Sequence, residues 1–127
     1  MTAPWRPRGE VVQVVDGDTV HTRLDIGWGI LLLPRWLPPE PGKPRRINPG
    51  PGTVRVLFPD GGKYDAPEST TAAGKRATAF VRNLVPVGAV LLVESFHLDD
   101  FGRTLGAVTL PDGRDWATVM ASAGYLK

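Results

Sequence analysis

The sequence predicts a small, mainly β domain with two helices, in which five strands close into a barrel. Three observations indicate this class. Short runs rich in Val, Leu and Ile are separated by Gly-, Pro- and Asp-containing turns. Two later segments instead carry apolar residues at helical spacing. The turns between consecutive strands are too short for parallel crossovers, which favours a barrel over a doubly wound sheet.

The first half of the chain holds three predicted strands. Residues 10–15 form a Val-rich strand that ends at the turn Asp16-Gly17-Asp18. Residues 19–26 alternate between apolar and polar, and residues 30–33 extend this ribbon. Residues 53–58 alternate again and form the third strand. The polar face of the second strand is expected to be wet, with His21, Arg23 and Asp25 on it.

The second half predicts a helix, two strands and a closing helix. The helical period begins near Thr71, and Pro86 with Gly88 ends that helix. Residues 89–96 and 103–110 are the two strands. Asp115 is placed to cap the closing helix at its N-terminus, and Gly124 to follow its last turn. The predicted order is therefore β-β-β-α-β-β-α.

Residues 34–52 differ in composition from the rest of the chain. Ten of these nineteen residues are Pro or Gly, which excludes a central strand. We therefore predict a long surface loop. It is basic, since a single acid, Glu40, stands against Arg35, Lys43, Arg45 and Arg46.

Length and composition limit the classes of protein to which the chain can belong. Its 127 residues, 42% of them hydrophobic, suit one globular domain over residues 1–127. The absence of cysteine excludes disulfides, thiolate metal sites and a cysteine nucleophile. The formal net charge of +2 is too small to identify a partner by itself.

No targeting or membrane segment is evident. No apolar run approaches the ~20 residues of a membrane helix, and the start of the chain lacks the apolar core of a signal peptide. We expect a cytoplasmic protein of bacterial or bacteriophage origin, with no membrane partner. We also expect a monomer with no obligate protein partner.

Four carboxylates lie at predicted strand ends or turns: Asp16, Asp18, Asp65 and Glu68. Oxygen donors without cysteine suit a hard cation such as Ca²⁺ rather than Zn²⁺. Taken alone, each short motif is also what an ordinary turn or helix start contains. The order in which the motifs occur is more specific than any one of them.

Asp16-Gly17-Asp18-Thr19, Asp65-Ala66-Pro67-Glu68 and Phe101-Gly102-Arg103 follow one another on the predicted barrel pattern. This combination resembles the thermonuclease (staphylococcal nuclease-like) family, whose members are Ca²⁺-dependent nucleases built on an OB-fold barrel. The resemblance runs from about Val11 to Gly124.

The resemblance implies a role for each matching residue. Asp18, Asp65 and the carbonyl of Ala66 look like the Ca²⁺ ligands, with Asp16 behind them. Glu68 looks like the general base that activates water. Arg103 is similar to one of two phosphate-clamping arginines, and Arg55 is the candidate for the other.

Arg55 departs from the family spacing. The family places this arginine five residues before the acid, whereas here ten residues separate Arg55 from Asp65. An inserted turn at Pro59–Gly62 that bulges out would leave Arg55 in place. If it does not, Lys63 is the alternative basic residue.

These residues predict a Ca²⁺-dependent nuclease that hydrolyses phosphodiester bonds of DNA, with RNA open as a second substrate. A cation and two guanidinium groups stabilise the negative charge that builds on the phosphoryl oxygens during attack. Two alternatives stay open. One is a catalytically inactive OB-fold module that binds nucleic acid, and the other is a Ca²⁺-stabilised structural protein.

Overall fold

The computed structural model of the chain describes residues 7–44 and 47–127. Eight strands and two helices are present in this part of the chain. In chain order they are β1 (Arg8–Asp16), β2 (Thr19–Asp25), β3 (Leu31–Leu32), β4 (Arg35–Trp36), β5 (Ile47–Asn48), β6 (Thr53–Leu57), α1 (Ala72–Leu84), β7 (Val90–Leu98), β8 (Thr104–Thr109) and α2 (Trp116–Ser122).

Five of the strands close into a barrel. β1 pairs antiparallel with β2 on one side and with β7 on the other. β7 pairs antiparallel with β8, β8 pairs parallel with β6, and β6 pairs antiparallel with β2, which completes the circle. β3 adds only a short extension to β2. The predicted class, mainly β with two helices and a five-stranded barrel, is confirmed.

Alternate residues of the strands fill the barrel with branched aliphatic side chains. Val20 and Leu24 of β2 point inward together with Val54 and Val56 of β6, all at most 1% exposed. The valines among them are branched at Cβ, which suits the pleated surface of a strand. The helices cover the barrel with a second set of buried residues: Ala77, Val81, Val85, Trp116, Ala117 and Met120.

The start of α1 is tied to the segment before it. The Thr71 hydroxyl accepts a hydrogen bond from the Gly74 N–H at 3.0 Å and donates one to the Glu68 carbonyl at 2.8 Å. Thr71 is thus the N-cap among the three hydroxyl residues that precede the helix. Gly74 lies so close to this segment that a Cβ there would overlap the Glu68 carbonyl. The helix start therefore holds the backbone of Glu68.

The closing helix is anchored to the opposite end of the chain. Asp115 caps α2 by accepting the Thr118 N–H at 2.9 Å, as the sequence predicts. The fully buried Trp116 donates its indole N–H to the Gly17 carbonyl at 2.8 Å. Gly124, with φ of 88°, follows the helix in the left-handed conformation that glycine tolerates best. One buried hydrogen bond therefore joins α2 to the β1–β2 turn.

Two sequence predictions are corrected by the fold. His21 does not lie on a wet face: it is 5% exposed, and its Nδ1 lies 2.7 Å from the Thr53 hydroxyl, because β6 pairs alongside this part of β2. Residues 34–52 are not entirely loop either. β4 and β5 pair as a short antiparallel ribbon, which fits because each strand needs only two residues free of proline. Arg45 and Arg46 lie outside the described residues.

Neither helix in the described part of the chain is long and apolar enough to cross a bilayer.

We expect Trp116→Phe to lower the free energy of unfolding by about 2 kcal/mol, because the buried Gly17 carbonyl loses its donor. Urea unfolding followed by circular dichroism measures the change. Trp28→Phe is the matched control, since Trp28 is fully exposed and the same substitution there should cost less than about 0.5 kcal/mol. Equal effects at the two positions would contradict the role given to the indole hydrogen bond.

Candidate active site

A polar cleft of about 260 Å³ opens where the β1–β2 turn meets the segment between β6 and α1. All seven residues that the sequence predicts for the site line this cleft, and the remaining lining residues come from the same segments and from the end of the chain. The lining comprises Asp16, Asp18, Thr19, Arg55, Asp65, Ala66, Pro67, Glu68, Ser69, Arg103 and Lys127. The structure thus brings together residues that lie up to 111 positions apart (16 to 127) in the sequence.

The β1–β2 turn packs directly on the segment that carries Asp65 and Glu68. The Asp18 carboxylate accepts the backbone N–H of Ala66 at 3.0 Å. A Cβ on Gly17 would lie only 2.7 Å from the Ala66 Cβ, so the approach requires glycine at this position. The two acidic motifs are therefore held against each other by backbone contacts.

Arg55 bonds to both acidic motifs. Its guanidinium lies 2.6 Å from Asp65 Oδ1 and 3.3 Å from Asp18 Oδ2, and it donates to the Tyr64 carbonyl at 2.7 Å. The Arg55 side chain is only 14% exposed. A guanidinium offers several donors in one plane, which lets one side chain bond two carboxylates and a carbonyl.

The segment between Arg55 and Asp65 forms the bulged turn that the sequence predicts. The Phe58 N–H bonds to the Gly62 carbonyl at 2.9 Å, and the Gly61 N–H returns to the Phe58 carbonyl at 2.9 Å. Beyond this turn, Lys63 bridges back to Leu57. The additional residues leave the strand as a turn, so Arg55 keeps its place beside Asp65.

The acids at the β1–β2 turn are electrostatically coupled. Burial, the side-chain hydrogen bond with Asp18 and the negative charge of Asp18 together raise the pKa of Asp16 to about 6. The Asp16 carboxylate also accepts the backbone N–H of Asp18 at 3.1 Å. Asp16 thus lies behind Asp18 in the wall of the cleft.

Glu68 lies at the open side of the cleft. Its side chain is 64% exposed and forms an ion pair with the Lys127 ammonium group. The backbone of Lys127 donates to the Asp65 carbonyl at 2.9 Å, so the end of the sequence runs along the acidic segment. The hydrogen bond to Glu68 raises the pKa of Lys127. Sequence reasoning missed Lys127, since no local pattern relates it to residues some sixty positions earlier.

Arg103 reaches the cleft from the turn between β7 and β8. Asp99 holds it by accepting the Arg103 Nε–H at 2.6 Å and its backbone N–H at 2.9 Å. These hydrogen bonds, with one from the Phe101 backbone, outweigh burial and lower the pKa of Asp99. The guanidinium also lies 5.5 Å from the centre of the Phe101 ring. The four-residue spacing between Asp99 and Arg103 is the sequence signal that could have indicated this pair.

A cavity of about 360 Å³ adjoins the cleft and shares both arginines with it. Leu57, Phe101 and Leu105 contribute apolar surface, while Lys63 stands at the margin with its Nζ 3.6 Å from Asp65 Oδ2. The guanidinium groups of Arg55 and Arg103 therefore lie between the acidic cleft and this more apolar cavity.

The cleft contains oxygen donors of the kind that a hard cation needs. Asp18, Asp65 and the Ala66 carbonyl supply oxygen atoms only, as Ca²⁺ prefers. Both carboxylates are within bonding distance of one guanidinium, so they approach a common centre. No group of three or more His, Cys, Asp or Glu side chains suited to a metal ion is present in residues 7–44 and 47–127. The donor chemistry fits Ca²⁺, while the ligand number that these side chains provide is small.

The closed five-stranded barrel with two covering helices defines an OB-fold protein. No family model matches the chain. It is 28% identical over 116 residues to an uncharacterized endonuclease of Escherichia coli O157:H7, an alignment that covers 91% of this chain and 57% of the relative. It is 34% identical over 104 residues to the micrococcal nuclease of Shigella flexneri, covering 82% of this chain and 43% of that protein.

The chain spans about half the length of the curated relatives it matches. Their names and the closed barrel agree with the family that the three motifs indicate. Together these findings support a staphylococcal nuclease-like (thermonuclease-like) family for this chain. The roles of its individual site residues stay predictions.

We expect Gly17→Ala to destabilise the protein by about 1–3 kcal/mol, because its new Cβ meets the Ala66 Cβ. The same substitution should cost at least about 1 kcal/mol less in an Ala66→Gly background, where the opposing atom is gone. A double-mutant cycle by urea unfolding measures this coupling. Additive effects would contradict the direct contact between the two motifs.

Proposed function

We propose that the chain is a Ca²⁺-dependent nuclease that hydrolyses phosphodiester bonds of DNA, with RNA as a second substrate. The observation that carries this proposal is the meeting of Asp18, Asp65, Glu68 and two arginines in one polar cleft. A surface that only binds phosphate does not need carboxylates, since these repel phosphate unless a cation is present. The nuclease names of the two relatives support the same proposal.

In the proposed site, Asp18, Asp65 and the Ala66 carbonyl hold the ion, and Asp16 supports them from behind. A bound Ca²⁺ supplies positive charge next to the phosphate and so stabilises the developing negative charge. The bonds of Asp18 to the Ala66 N–H and of Asp65 to Arg55 fix the carboxylates in advance. Such fixed groups stabilise a transition state without having to reorganise during the reaction.

Glu68 acts as the general base. Its exposed carboxylate takes a proton from a water molecule, and that water then attacks phosphorus. The backbone of Glu68 is held by Thr71, so the carboxylate stays at the edge of the cleft. The Lys127 ammonium group forms an ion pair with this carboxylate.

Arg103 and Arg55 stabilise the pentavalent transition state. The Asp99 carboxylate accepts a hydrogen bond from the Nε–H of Arg103. Among the described residues, no hydrogen bond involves the two terminal amino groups of that guanidinium. Those groups form a fork that matches two phosphoryl oxygens. The Arg55 side chain is less exposed than that of Arg103, and its positive charge lies next to Asp18 and Asp65.

Cleavage of single- and double-stranded DNA with Ca²⁺ and with a chelator tests the proposal. We expect Ca²⁺-dependent cleavage by the unmodified protein and a loss of about 10²–10⁴-fold in Glu68→Gln, which keeps the shape but cannot accept the proton. Glu10→Gln is the matched control, because Glu10 forms an exposed ion pair with Arg23 and does not line the cleft.

The outcomes separate the candidate functions. Salt-dependent DNA binding without cleavage would indicate the inactive binding module instead. Cleavage that persists in the chelator, or in Glu68→Gln, would contradict the proposed site.

We expect Arg103→Lys to lower cleavage by about 10²–10³-fold, because lysine keeps the charge but loses the two-pronged donor. Single-turnover kinetics with saturating protein measures the chemical step. Arg114→Lys is the matched control, since Arg114 makes the same kind of local bond to Asp112 on the surface, away from the cleft. Unchanged turnover in Arg103→Lys would count against the proposed clamp.

A further inference from the structure

A second groove, of about 550 Å³, runs along the outer face of α1. We call it the α1 groove. Ser69 and Val15 form its near end, and Lys75, Thr78, Arg82 and Asn83 follow along the helix. Lys75, Thr78 and Arg82 are three and four residues apart, and Asn83 lies four residues after Ala79, which also lines the groove, so these side chains share one side of α1.

The α1 groove continues from the active-site cleft. Ser69 lines both, and Val15 directly precedes Asp16 in β1. The α1 groove and the active-site cleft therefore adjoin at Ser69, where a chain-like ligand can contact both.

The groove presents positive charge and hydrogen-bond donors. Lys75 and Arg82 are exposed, and no carboxylate is among the residues that line the groove. Arg82 donates to the Val14 carbonyl at 3.1 Å, which keeps its guanidinium over the β1 strand. In the described part of the chain no acid forms an ion pair with Lys75. Thr78 and Asn83 add uncharged polar groups between the cations.

We propose that the α1 groove binds the phosphate backbone of a polynucleotide on one side of the scissile bond. The inference rests on the proposed nuclease function and extends it from the reacting phosphate to its neighbours. Lys75 and Arg82 neutralise two phosphates of one strand, while Thr78 and Asn83 donate to phosphate oxygens. Contacts of this kind position the strand without reading its sequence.

The size of the groove agrees with this occupant. Seven residues separate Lys75 from Arg82, which corresponds to about 10 Å along the helix axis. Phosphates of one strand of B-form DNA are spaced about 3.4 Å apart along the duplex axis, so the two cations span about three nucleotides. The groove is therefore long enough to bind several phosphates of a strand and not only a mononucleotide.

Fluorescence anisotropy with a labelled 30-nucleotide DNA tests the proposal, at several salt concentrations and in a chelator so that the proposed reaction does not run. We expect Lys75→Ala to weaken binding on the order of fivefold to tenfold at 0.1 M salt and to reduce the salt slope by about one. Asn83→Lys should strengthen binding and raise the slope by a similar amount, because it adds a cation inside the groove.

Arg76→Ala is the matched control. Arg76 is the exposed neighbour of Lys75 on the same helix, carries the same charge and does not line the groove. We expect its effect to be less than twofold. Circular dichroism spectra of all variants establish that the fold is retained.

Equal losses in Lys75→Ala and Arg76→Ala would indicate a net-charge effect and overturn the proposal. So would unchanged binding in Lys75→Ala, or no binding of the DNA by the unmodified protein. The result is independent of cleavage: a missing reaction in the Glu68→Gln experiment with a specific Lys75 effect here would refute the nuclease and keep the groove. Cleavage without a Lys75 effect on binding would keep the nuclease proposal and refute the α1 groove.

Discussion

The candidate site depends on the packing of the β1–β2 turn against the segment that follows β6. Gly17 lets the two backbones approach, and Asp18 accepts the Ala66 N–H across the contact. Trp116 fixes the same turn from the core side through its indole N–H. These contacts therefore fix the position of the turn and the direction of the Asp18 carboxylate.

The two arginines of the cleft show how a small domain accommodates partly buried positive charge. A partly buried guanidinium needs partners, because an unpaired charge in a low-dielectric setting is costly. Asp18 and Asp65 serve Arg55, and Asp99 serves Arg103. The same acids therefore orient the arginines and balance their charge. Each arginine is part of a fixed arrangement before any phosphate arrives.

Periodicity predicted the barrel strands and both helices to within a few residues. The short motifs contain all four carboxylates that line the cleft: Asp16, Asp18, Asp65 and Glu68. Local patterns did not predict what depends on closure of the barrel. His21 alternates like a solvent-facing residue, yet the pairing of β6 beside β2 buries it against Thr53. The ion pair of Lys127 with Glu68 joins segments that are distant in sequence, so only the folded chain reveals it. The β4–β5 ribbon in the Pro- and Gly-rich segment has only two residues in each strand, too few to show an alternating sequence pattern.

The glycine in the first turn of α1 links helix geometry to the chemistry of the cleft. Gly74 has no room for a methyl group, since the Glu68 carbonyl occupies that space. Any larger residue would push the helix and the carboxylate-bearing segment apart, although it removes no polar group from the cleft. Loss of function at such a position would look like a missing chemical group when its origin is purely spatial. The geometry of the candidate site therefore depends also on Gly74, a position that carries no functional group at all.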